Sequence, residues 1–143
     1  MIGRAYAALI AVAIASATGS SREPVTPFWQ KTWTIAAATG PAAASADVKD
    51  AIGKPVALTA QHAGTPYSYP CPDRPDYRDV RTRPRTQLAA HFGAFWKFPK
   101  ALGANPVFGW VRCPSNGNIG AFAFTDAQHG YYFFEDGLVF MLK

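Results

Sequence analysis

The chain has 143 residues, 49% of them apolar and 16% charged, with a formal net charge of +5. That apolar share excludes a disordered chain and is ample for a packed core. The modest positive charge argues against nucleic acid as a partner, and two cysteines without histidines at ligand spacing argue against a metal site.

Residues 1–17, MIGRAYAALIAVAIASA, carry Arg4, then an apolar run from Ala5 to Ala15, then Ala15-Ser16-Ala17. This order predicts a secretory signal peptide cleaved after Ala17. The apolar run is shorter than the roughly 20 residues a spanning helix needs, so no membrane span is expected after cleavage. Removing these 17 of 143 residues leaves 126, a usual size for one domain, and the loss of Arg4 lowers the charge to +4. Residues 18–30, rich in Ser, Thr and Pro, read as a flexible lead-in, and 31–143 as a single β-rich domain.

Trp33 and Ile35 sit at strand spacing in a first strand from Lys31. Asp47 is placed to cap a short helix, DVKDAI, which Gly53 would stop. Residues 54–60 alternate Val56 with Leu58 and predict a second strand. Residues 61–85 hold five prolines and can form neither a continuous helix nor a central strand. Residues 86–98 predict a helix capped by Thr86, with Leu88, Phe92, Phe95 and Trp96 on one face; a loop with a short turn at Lys100 to Leu102 also fits.

Four aromatic and β-branched runs follow, separated by PSNGN, DAQHG and Asp136-Gly137, and predict an antiparallel meander over 106–142. Phe122 and Phe124 point to one face and Ala121 and Ala123 to the other; Phe108 and Trp110 oppose Val107, Val111 and Cys113. In Tyr131-Tyr132-Phe133-Phe134 both faces are aromatic, which suits a strand covered by the 88–96 helix or partly open for binding. A two-residue Asp136-Gly137 turn sets Phe133 opposite Phe140 and Tyr132 opposite Met141. Tyr132 then lies on the partly covered face. The fold class expected is mainly β with one short-to-medium helix, the meander closing into a small barrel or sandwich.

Cys71 and Cys113, in an oxidising compartment, pair most simply as one disulfide. His62, His91 and His129 stand alone, no serine lies in a GxSxG elbow, and SNGNIG lacks the lysine of a phosphate loop. No catalytic, metal or cofactor residues are therefore expected. The segment DRPDYRDVRTRPR carries five arginines and three aspartates. Tyr77, Arg78, Arg81, Arg83 and Arg85 are candidate binding residues for an acidic envelope protein or glycan, with Tyr132 a sixth on the meander. The competing reading is a self-paired polar loop in which Asp73, Asp76 and Asp79 neutralise Arg74, Arg78 and Arg81, leaving Arg83 and Arg85 unmatched.

In general type the chain resembles small exported β-barrels such as bacterial lysozyme inhibitors and lipocalin-like proteins, a likeness that transfers no residue roles. The function expected is that of an exported, non-enzymatic binding or inhibitor protein acting on a cell-envelope macromolecule. The alternatives are a lipocalin-like carrier holding a small apolar ligand in an aromatic cavity and, more distantly, an enzyme. A barrel interior of about 300 Å³ or more would favour the carrier.

Overall fold

Eight antiparallel strands, in the order β3-β2-β1-β8-β7-β6-β5-β4, build one curled sheet, a half-barrel. The computed structural model describes Gly19, residues 24–93 and residues 96–143. The leader expected over 1–17 lies outside the described residues, as do most of 18–23 and Phe95 of the predicted helix face.

The strands are β1 Thr32–Thr39, β2 Pro55–Leu58, β3 Ala63–Gly64, β4 Asp76–Thr82, β5 Val107–Cys113, β6 Gly117–Asp126, β7 His129–Phe133 and β8 Val139–Leu142. The period-2 pattern of β1 and β2 is realised: Trp33, Ile35, Val56 and Leu58 are each 0% exposed. Between them α1, Ala46–Ala51, is capped by Ser45, whose Oγ accepts the Val48 N–H, so Asp47 is a first-turn acid and not the cap. The β5–β8 strands form the meander, and β8 joins it to the N-terminal strands by pairing with β1.

Side chains from every strand meet on the inner face, where Trp33, Phe122, Phe124, Tyr132, Phe140 and Leu142 are packed together. Burying each such side chain contributes about 1.5–3 kcal/mol. Trp29, inside the segment read as a flexible lead-in, belongs to this core: its carbonyl accepts the Trp33 indole N–H, and its ring meets Tyr77 and Phe124. The outer face of β5–β8 carries a second cluster in which Leu88, Phe92, Phe98 and Leu102 cover Phe108, Tyr131, Phe133 and Val139. Both faces of the aromatic run are thus buried, the outer one beneath the second helix.

That helix, α2, runs only from Arg85 to Phe92, with Pro84 at its N-cap, and it ends at Gly93, whose φ is +73°. The prediction carried it to residue 98 from Thr86. Phe98 still reaches the outer cluster because Arg85 donates to the carbonyls of Phe98, Pro99 and Lys100, drawing the following chain onto the sheet. A 3₁₀ turn at Lys100–Leu102 then buries Leu102.

The last hairpin departs from its predicted register by one residue. Asp136 and Gly137 both have positive φ and Leu138 N–H bonds to Glu135, as a two-residue turn requires. Phe134 N–H, however, also bonds to Leu138, so Phe134 and Glu135 share one partner in a bulge. Phe133 therefore pairs with Val139 and Tyr132 with Phe140, and β8 turns its other face inward. Tyr132 sits with Phe140 in the inner core at 1% exposure, which corrects its expected place on a partly covered face.

Candidate functional site: an open aromatic cleft

The arginine-rich segment is a strand, β4, at the edge of the sheet, and not a loop. Two of its residues oppose Gly109, because Asp79 adopts φ +53° in a bulge that turns Val80 inward. A side chain at 109 would overlap Val80, so glycine there makes the bulge fit.

Within β4 the candidate residues are mostly occupied by the fold. Tyr77 points inward and donates its hydroxyl to the Thr59 carbonyl at 2.6 Å, with its ring against Trp29. Burial raises its phenol well above the usual value. Arg78 pairs with Asp76, and Arg81 with Asp79 at 3.2 Å. Arg83 is only 8% exposed; it pairs with the same Asp79 and lies over the Phe108 and Trp110 rings. Arg85 is spent on three backbone carbonyls. Arg83 and Arg85, expected to be unmatched, are thus the two most firmly held. Asp73 receives Ser115 and Arg74 donates to Gln61.

Tyr132 takes part in a different constellation. At the end of the half-barrel where β5 turns into β6, an open cleft of about 430 Å³ crosses the rim of the sheet. One wall is the loop after β3. Thr65 and Ser68 close a tight turn that lays Tyr67 on Phe134 and Phe140, with ring centroids 4.7 and 5.4 Å apart, and leaves Tyr69 83% exposed. The Cys71–Cys113 disulfide and the Asn116 amide, which donates to the Pro70 carbonyl, pin this loop to the β5–β6 turn. The opposite wall is Phe92, Trp96 and Trp110, backed by Phe133.

The floor is the start of β6. Gly120, at φ +157°, lets the Tyr132 ring lie against the backbone there, and Tyr132 Oη reaches the Ile119 carbonyl at 3.4 Å and Thr65 Oγ1 at 3.5 Å. Burial is the main cause that pushes the Tyr132 phenol up to about 12. Among the described residues Glu135 is the one charged group in the lining. Open, aromatic and bearing Ser68, Asn116 and Asn118, the lining has the mixture of rigid rings and adaptable amides that makes binding surfaces effective.

Inside the half-barrel, by contrast, the space among Trp29, Leu58, Tyr77, Val80, Phe122 and Phe124 amounts to about 10 Å³. Among the described residues no three metal-ligating side chains come together, and no helix is long and apolar enough to cross a membrane. His129 pairs with Asp126, whose carboxyl the Gln128 amide and then this contact hold below the usual carboxylate range; His91 stands edge-on to Trp110. No family model, curated protein or solved structure matches the chain.

Proposed function

We propose that the chain is an exported, non-enzymatic binding protein that holds a cell-envelope macromolecule in the cleft between Tyr67 and Tyr69 on one side and Trp96 and Trp110 on the other. The observation that carries this reading is the contrast between the two spaces: the interior is filled, whereas an aromatic cleft of about 430 Å³ stands open at the rim. A small-ligand carrier would keep a hollow interior instead. Export is supported by the disulfide, which persists where thiols are oxidised. An exposed Tyr69 beside half-buried tryptophans is the kind of anchor on which interfaces depend.

The test compares wild type with a Tyr69→Ala variant, whose side chain is 83% exposed and whose loss should leave the melting temperature unchanged. Retention of one envelope component by the wild type, lost in the variant, supports the reading. Stoichiometric binding of a fluorescent fatty acid that both proteins share would favour the carrier instead.

A further inference from the structure

The cleft contains an unfinished sheet edge. β6 stays paired with β5 as far as Cys113↔Gly117, but its pairing with β7 stops at Ala121↔Phe133. Beyond that point the Phe134–Glu135 bulge carries the chain away, and among the described residues Gly117 to Gly120 have a strand neighbour on one side only, with Ile119 in a bulge against β5 and its carbonyl reached by Tyr132 Oη. Asn116 to Ala121 all line the cleft, so the space where β7 would continue is the open volume itself. With Ile119 bulged, the segment offers three paired positions, about 10 Å, room for a short added strand.

The two aromatic walls stand on opposite faces of this missing strand. Tyr67 and Phe134 belong to the inner face, Trp96 and Trp110 to the outer. An extended peptide seated there would send alternate side chains to each wall, as strand addition requires. The walls differ in charge. Glu135 lines the cleft and adds, after burial, to the rise of the inner-face Tyr132 phenol, as Asp47 and Asp50 add to that of Tyr67. Among the described residues no positive group lines the cleft.

We infer that the occupant is an extended polypeptide segment that pairs with the β6 edge at Gly117–Gly120, turning lysine or arginine side chains to the Tyr67–Glu135 wall and apolar ones to Trp96 and Trp110. Backbone hydrogen bonds supply the register, while cation–π contact and the carboxylate select the charge. This deepens the cleft reading above and rests on it.

The experiment is an amide NMR titration of the full chain with a capped peptide alternating lysine and valine. Three comparisons accompany it: the same peptide N-methylated at alternate amides, its glutamate counterpart, and a chitin trisaccharide as a glycan probe. The lysine peptide should shift the amides of 117–120 and slow their hydrogen exchange. N-methylation should weaken binding at least about tenfold by removing the ladder donors. Glutamate in place of lysine should weaken it about three- to tenfold, and the exposed Glu135→Lys substitution should reverse that preference. Equal binding of the N-methylated peptide, or shifts that spare 117–120, would overturn strand addition. If the trisaccharide binds in the cleft and the peptides do not, the cleft remains a binding site and the polypeptide assignment falls. If no probe moves a cleft resonance, both readings fall.

Discussion

The Tyr132 ring lies against the backbone of Gly120, in the volume where a side chain at that position would begin. A methyl there must displace a ring that is 1% exposed and packed on Phe122 and Phe140. Gly120→Ala should therefore destabilise the fold by about 1–3 kcal/mol, the usual range for overpacking. A lower urea midpoint is expected; an unchanged one would show that Tyr132 moves freely.

Tyr132 and Phe133 occupy the two faces of β7, and each is buried beneath its own cluster. Truncating either to alanine should cost about 3–5 kcal/mol in thermal or chemical unfolding. Tyr132→Phe should cost about 1 kcal/mol or less, because the hydroxyl contacts are 3.4 and 3.5 Å long. A Tyr132→Ala variant as stable as wild type would contradict the inner-core placement.

Asp79 holds Arg81 and the buried Arg83, whereas Asp76 holds only the exposed Arg78. Removing Asp79 leaves the Arg83 charge over two aromatic rings without its carboxylate, so Asp79→Ala should lose about 1.5–3 kcal/mol. Asp76→Ala should stay within about 1 kcal/mol. Equal losses in parallel denaturant melts would refute the distinction.

Alkaline pH should weaken the protein. The unfolded chain releases the tyrosine proton near 10.0, whereas folded Tyr132 holds it up to about 12. Its contribution is complete below the unfolded value and disappears as pH rises through the folded one. Urea midpoints should fall between about pH 10 and 12, and Tyr132→Phe should flatten part of the fall. The remainder comes from Tyr77, Tyr67 and Tyr131, whose phenols are also raised by burial.

Reducing Cys71–Cys113 opens a loop of sequence separation 42, for which chain entropy alone predicts a loss of about 4 kcal/mol. The same bond anchors the Tyr67–Tyr69 wall, so amide exchange in 65–70 should accelerate in mild reductant before the central strands are affected. Uniform acceleration throughout the sheet would show that the wall has no stability of its own.

Strands with alternating apolar residues were legible from sequence: Trp33 and Ile35 in β1, Val56 and Leu58 in β2, and Phe122 and Phe124 against Ala121 and Ala123 in β6 all behave as their spacing implies. β4 was hidden because its residues are charged and its alternation is broken at Asp79. The Asp136–Gly137 turn was legible, but the bulge beside it depends on Phe134 reaching Leu138, which no turn dipeptide encodes. The cleft was out of reach for a different reason. Tyr69, Trp96, Trp110 and Asn118 come from separate stretches that only the folded sheet brings together. The nearest sequence signal was local: Tyr67-Ser68-Tyr69 between prolines, and the Asn-rich turn at 116–118.

β8 stands fourth in a sheet of eight, between β1 and β7, so a late segment of the chain fills a central place. Ile35 must wait for Leu142, and Thr39 for Val139, before the two halves can join. Such long-range pairing slows folding. Until it happens, β1 and β7 each present a bare strand to other chains. A nascent copy interrupted before Val139 would carry two adhesive margins at once.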